Sequence, residues 1–237
     1  MPQHIPRKQL KKDEVRDTLA HGADAVLSHQ TLTLYILIVA ILVAVGVFGW
    51  KTYSERQTVK ASAEFDSAMK AFQAPVGTPP PGETSYASDP QKFTTAAKEF
   101  ADVASKYPRT HAGQLARYYA ALSYEKLGKT DDARKSLQDI ANGNDAEVAA
   151  LAQLELAGID DRTGQDAEAV KLYEALIAQP SVLVPKPVPM MALAEHYIRV
   201  KDPAEAAKLY GQIKADYPDT PMAEQADQAL ALLGGKS

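Results

Sequence analysis

Acids and histidines are the residues of this chain that could do chemistry, so their spacing is read first. Asp160 with Asp161, and Glu224 with Asp227, are neighbouring carboxylates of the kind that share a proton or hold a cation. No further ligand stands at helical spacing from either pair, and the expectation is solvated charge at helix ends. His111 and His196 lie far apart, neither has a second histidine one helical turn away, and a capping or surface role is expected for both. The terminal Gly234, Gly235, Lys236, Ser237 imitates the end of a phosphate loop, but the earlier glycine that such a loop needs is absent. No acid, base and nucleophile converge, so the reading is of a protein that is not an enzyme, with no metal and no cofactor.

The elements that would position these groups are helical. Small residues recur in three stretches: Ala121, Tyr124, Gly128, Ala133, Leu137; then Ala157, Gly164, Ala169, Tyr173; then Ala194, Tyr197, Ala206, Tyr210, Pro218. The period is about 36 residues, that of stacked helix pairs whose usual product is a binding surface. An upstream copy extends the array. Ala96, Ala97, Lys98, Glu99, Phe100 leading to Tyr107 and Pro108 recurs as Ala206, Ala207, Lys208, Leu209, Tyr210 leading to Tyr217 and Pro218, three periods later. Thr110 and Thr220 follow as helix N-caps, with Ala116 matching Ala226 and Leu122 matching Leu232. Each proline stops one helix before the next begins. Alanine at the facing positions lets helix axes approach to roughly 8–10 Å while Leu, Tyr and Phe interdigitate around it.

Ahead of the array lies an apolar run. Leu32 to Phe48 carries no charge, and with its flanks it reaches the roughly 20 residues that cross a hydrocarbon core. Tyr35 and Trp50, the sole tryptophan, stand near its two ends, where aromatic anchors sit. Arg7, Lys8, Lys11, Lys12 and Arg16 precede the run and Lys51, Arg56 and Lys60 follow it, which favours an internal N-terminus and an external C-terminal domain. A cleaved signal peptide is the rival, disfavoured by the long leader and the long apolar run. Before the run, Val15, Leu19, Ala23 and Val26 make a helical stripe suited to a membrane surface or a partner. The part after the span holds 21 Lys and Arg against 26 Asp and Glu, and its interspersed charges argue against nucleic acid. With no cysteine, the fold owes nothing to disulfides.

The expected layout is therefore all-α: a tail over residues 1–30, a transmembrane helix over 31–50, a juxtamembrane helix over 51–74, a Pro-rich loop over 75–89 and a repeat domain over 90–234. The Ser54 to Gln73 segment is either the first helix of an added pair or a stalk. Pro180 to Pro189 is read as a second break that lengthens one turn.

The alanines and their neighbours resemble the tetratricopeptide repeat family. Its two small positions fall on Ala121 and Ala133, Ala157 and Ala169, and Ala194 and Ala206, its large position on Leu137, Tyr173 and Tyr210, and its terminal proline on Pro218. In the middle repeat Asp160 stands where the family has tyrosine. The resemblance implies that the first helix of each pair lines a groove. That places Tyr118, Leu122 and Glu125, then Leu154, Gly158 and Asp161, then Met191, Glu195 and Arg199 along it, with Leu122 and Leu154 read as core. The protein-binding residues so implied are Tyr118, Glu125, Asp161, Met191, Glu195 and Arg199. Lysine and asparagine, which grip terminal carboxylates in some members, are absent there.

The layout as a whole looks like the ancillary subunit of the bacterial SecYEG translocon, a single-span inner-membrane protein with a periplasmic repeat domain. It departs from that family in its longer tail and in the insertion around Pro79 to Gly82. The resemblance implies translocon subunits and periplasmic chaperones as partners. The Tyr-Pro-x-Thr steps also resemble periplasmic repeat proteins of outer-membrane assembly and cell-division coordination, which implies an envelope scaffold instead.

Overall fold

Residues 30–78 and 85–234 are described by a computed structural model. The N-terminal stripe at Val15 to Val26 with its basic flank, the Pro79 to Gly82 insertion, and Gly235 to Ser237 lie outside the described residues. The chain divides into two compact units at Arg56/Gln57.

Helix α1 runs from Gln30 to Gln73, 44 residues, with the boundary between the two units inside it. No proline interrupts it, and Gly46 and Gly49 meet no neighbouring atom. In the first unit the large apolar side chains from Leu32 to Trp50 are 44% to 74% exposed, with Ile38 and Phe48 at the two extremes. That exposure, over a run of this length and apolarity, is the pattern shared by membrane spans and signal anchors. Among the described helices, α1 is the one long and apolar enough to cross a membrane.

The second unit is a stack of helix pairs: α2 (Asp89–Lys106), α3 (His111–Lys126), α4 (Thr130–Ala141), α5 (Ala146–Arg162), α6 (Asp166–Ala178), α7 (Pro187–Arg199), α8 (Pro203–Asp216) and α9 (Pro221–Gly234). Each helix touches the next, and α3 also touches α5, α5 touches α7 and α7 touches α9. First helices therefore meet first helices across repeats. The alanines are the reason they can. Ala121, Ala133, Ala157, Ala169, Ala194 and Ala206 are all 0% exposed, each at the seam where two backbones come closest.

The C-terminal part of α1 belongs to the stack. Ala61 and Ala68 are buried with Ala96, Phe100, Val103 and Tyr107 of the α2 region, and Phe65, Met69 and Phe72 pack against them. Glu64 accepts hydrogen bonds from Lys106 Nζ (2.8 Å) and the Tyr107 hydroxyl (2.7 Å), tying α1 to the far end of α2. Of the two sequence readings for Ser54 to Gln73, the stalk is thus not what residues 57–73 form; they pair with α2. The ends of the intervening loop are drawn together by a bridge between Val76 and Tyr86.

The turns repeat as faithfully as the seams. After α3, α5 and α7 the chain closes with the same pair of backbone bonds, the longer-range member running from Lys129 to Tyr124 O (2.9 Å), Gln165 to Asp160 O (2.8 Å) and Asp202 to Tyr197 O (2.8 Å). That closure needs a left-handed residue. Gly128 (φ 74°) and Gly164 (φ 77°) supply it, but the third repeat uses Lys201 at φ 65°. A side chain there costs about 1 kcal/mol, partly offset by the entropy glycine loses on folding. Lys201→Gly is therefore expected to stabilise the chain by about 0.5 kcal/mol, seen as a raised thermal midpoint in detergent. The turns before α3 and α9 are likewise copies: Thr110 and Thr220 hydroxyls accept from Gly113 N (3.0 Å) and Ala223 N (3.3 Å) and donate to Tyr107 O and Tyr217 O.

Two expectations need correction. Pro187 and Pro189 are not part of a break: both are buried in the first turn of α7, where the missing N–H would have had no helical partner. Leu232, matched in sequence to half-buried Leu122, is 71% exposed. The reason is that α9 has no second helix after it among the described residues. Glu224, Gln225, Asp227 and Gln228 of α9 are exposed with it.

Candidate protein-binding site

The six groove residues lie on α3, α5 and α7, the first helices that touch in succession. Their side chains fall into three kinds. Tyr118 is 9% exposed and belongs to a cluster with Leu137 and Ile140 of α4 and Val148, Ala152 and Leu156 of α5, so its ring serves the core shared by α3, α4 and α5. Burial pushes its hydroxyl well above the ordinary tyrosine range, with the charge of Glu155 adding to this. Glu125, Asp161 and Arg199 are engaged by charges of the adjacent repeat. Met191 is half-buried against the α7–α9 core, and Glu195 is exposed.

The engaged residues form a ladder. Glu125 at the end of α3 pairs with Arg162 at the end of α5, and Asp161 of α5 pairs with Arg199 of α7. The two acids are 36 residues apart and the two arginines 37, so one repeat's acid binds the next repeat's arginine. Gly158 leaves room beside the first rung: a Cβ there would stand 3.1 Å from the Arg162 guanidinium, which would have to give by a few tenths of an ångström. Ile198 at the next acid position ends the series.

The lower rung gathers the groups that sequence left apart. His196 is 2% exposed, not a surface residue, and its Nδ1 lies 2.5 Å from Asp161 Oδ1. Arg199 reaches Asp161 through Nε (2.9 Å) and Nη2, reaches Asp166 through Nη2, and places Nη2 3.1 Å from His196 Nδ1. Asp161, Asp166 and His196 are near enough together to ligate an ion. The cation they surround is the guanidinium, which fills that position. Burial raises the Asp161 carboxyl, but hydrogen bonds from Arg199 and His196 outweigh it and hold it below the usual range.

Asp160 is no solvated acid either. It is 5% exposed and bonded to Arg134 of α4, whose second terminal nitrogen donates to the Thr163 hydroxyl (3.3 Å). Its place on α5 is held by Tyr124 on α3 and Tyr197 on α7. His111, by contrast, is exposed, in keeping with the capping or surface role expected of it: its Nδ1 lies 2.7 Å from the carboxylate of Asp145, itself the N-cap of α5. Glu224 is exposed, and its neighbour Asp227 pairs with Lys214.

Two carboxyls on this face are left short of positive charge. Glu155 is raised by burial, then by the hydrogen bond and charge of Glu125, with Arg162 opposing at 3.4 Å. Glu195 is raised by burial and by the charge of Asp161. A raised carboxyl binds its proton more tightly folded than unfolded. It favours the fold below its ordinary value of 4.5, and that contribution is lost as pH rises through the raised value. Glu155→Gln is accordingly expected to raise the melting temperature at pH 7, with the gain vanishing near pH 4 in a pH series.

A family model for the tetratricopeptide repeat-like domain matches residues 28–180, well over half of the chain. The chain belongs to the tetratricopeptide repeat-like family. Its repeats are therefore of a kind that serves protein–protein interaction. The match takes in α1 from near its start, so the apolar helix and the first pairs fall within one family region. No curated protein matches the chain.

Sequence reasoning missed Arg134, Glu155, Arg162 and Asp166, each of which engages a charged partner across a helix boundary. A signal for the arginines was present in the 37-residue interval between Arg162 and Arg199, each following its repeat's alanine by five residues.

Proposed function

We propose that this chain is a non-enzymatic adaptor anchored in the bacterial inner membrane by a single span, with a cytoplasmic N-terminus and a periplasmic repeat domain. The face of α3, α5 and α7 holds a segment of a partner protein. The single observation that carries this reading is the unbroken succession of first helices, whose acid–arginine ladder stiffens the face and leaves Met191 and Glu195 to meet a ligand. Apolar contact at Met191 supplies affinity, and the acids at Glu155 and Glu195 select against acidic partners.

The partners proposed are translocon subunits and the periplasmic chaperones that receive emerging chains, in keeping with the layout of one span followed by a repeat domain. The copied Tyr-Pro-x-Thr turns at Tyr107 and Tyr217 favour a second reading, a scaffold for outer-membrane assembly or cell-wall coordination. Affinity capture of the full chain from native membranes after crosslinking separates the two. Translocon subunits in the eluate support the first; assembly or cell-wall factors without them support the second; recovery of neither overturns both. The cysteine-free sequence allows the topology to be read directly. A single cysteine at exposed Ser105 reacts with an impermeant maleimide in spheroplasts, whereas labelling only after lysis contradicts the periplasmic placement.

A further inference from the structure

Position 160 is where the repeats of this chain differ from one another in a way that leaves space. Tyr124, Asp160 and Tyr197 occupy the same place in successive first helices, 36 and 37 residues apart, and each precedes the same turn closure. Tyr197 shows what the ring does there. It packs into the apolar cluster that includes Val170 of α6 and Leu209 of α8, between the second helix of the preceding pair and that of its own. One repeat earlier the corresponding second helices are α4 and α6, and Leu172 stands where Leu209 stands in the next. The residue offered to that space is the short Asp160, which turns to Arg134 instead.

Arg134, which stands where Val170 stands in the next repeat, takes part of that place, and an open cleft adjoins the pair. A cleft of about 440 Å³ lies between α4 and α6 over α5, with Leu156 and Leu172 in its wall, Asp160 and Arg134 at its charged end, and a polar margin of amide side chains with Glu168 and Lys171. Its walls select a particular filling. An aliphatic side chain would cover the Arg134–Asp160 pair with apolar atoms and return nothing for the lost solvation. An aromatic ring meets the leucines with one part and the guanidinium with its π face, and a phenolic hydroxyl finds Lys171 at the margin.

We propose that the cleft between α4 and α6 is a receptor for one aromatic side chain, best a tyrosine, of a partner polypeptide. The ring takes the place that Tyr197 fills from within the chain one repeat later. This site lies between two second helices with α5 as its floor, and Met191 and Glu195 of the face described above take no part in it.

The test uses the full chain in detergent micelles with leucine methyl labels and N-acetyl-tyrosinamide as the probe. The expected result is saturable shifts at Leu156 and Leu172 with none at Leu209, whose space Tyr197 occupies, and N-acetyl-leucinamide binding at least about tenfold more weakly. Asp160→Tyr is expected to abolish the shifts by supplying the ring internally. Because that variant leaves Arg134 without its carboxylate, Gln138→Trp, which closes the cleft from its exposed margin, is a second block expected to act in the same way. Absence of shifts at Leu156 and Leu172, equal binding of the leucine analogue, or shifts that persist in both variants would overturn the proposal.

Discussion

Phe100→Ala is expected to destabilise the repeat domain by about 3–5 kcal/mol, the range for emptying a large aromatic site in a core. Phe100 is 0% exposed, and its ring lies 5.3 Å from Tyr119, 5.5 Å from Phe65 and 6.0 Å from Phe72. Those three rings come from α1 and α3, so one α2 side chain joins the first pair to the helix that follows. The surrounding seam is alanine, with Ala61, Ala68, Ala96 and Ala116 all nearly inaccessible, and alanines have no length with which to close a cavity. At about 2–4 °C per kcal/mol for a chain of this size, the first unfolding step should drop by roughly 10 °C. Hydrogen exchange should place the loss in residues 57–126 and leave α7 to α9 protected, because a stacked array is coupled mainly to nearest neighbours. A loss below about 1 kcal/mol would mean that residues 57–73 do not depend on this packing.

Arg134→Met should cost about 3 kcal/mol, the lower end of the range for removing one member of a buried ion pair, since Arg134 itself keeps some solvent contact. The penalty belongs to Asp160, which stays 5% exposed with its charge unmatched. The paired change Arg134→Met with Asp160→Leu should recover most of the loss, since a buried pair replaced by apolar groups of similar volume is often neutral or better. Denaturant titration of the two single variants and the double variant measures this directly. A double variant as unstable as Arg134→Met alone would show that the cost lies in lost packing of the arginine stem and not in the stranded carboxylate.

The fold was legible in the sequence to the extent that spacing encodes it. Ala121, Ala157 and Ala194 mark the seams because only a small residue permits the axes to approach, and periodicity survives in a one-dimensional reading. The turns were legible too, through Gly128, Gly164, Pro108 and Pro218. Pro187 and Pro189 misled, because proline stops a helix it follows but suits the first turn of a helix it opens, and composition does not distinguish the two. The polar groups of the first-helix face were only half visible. Which acid meets which arginine depends on contacts between repeats, and each rung joins residues 37 or 38 apart that no local window contains. His196 and Asp160 were read as solvated for the same reason. Asp160 meets Arg134 of α4 and His196 meets Asp161 of α5, 26 and 35 residues away, and a histidine or aspartate carries no mark of the distant partner it will meet.

Site-specific photocrosslinking in native membranes is the most direct measurement. A photoreactive residue at Met191 or Glu195, on the proposed binding face, is compared with one at Lys208 on the exposed side of α8. The account predicts one discrete partner adduct from positions 191 and 195, competed by adding positive-to-negative charge changes on that partner's segment, and none from position 208. Adducts that form equally at all three positions, or at 208 alone, would contradict an adaptor that works through its first helices.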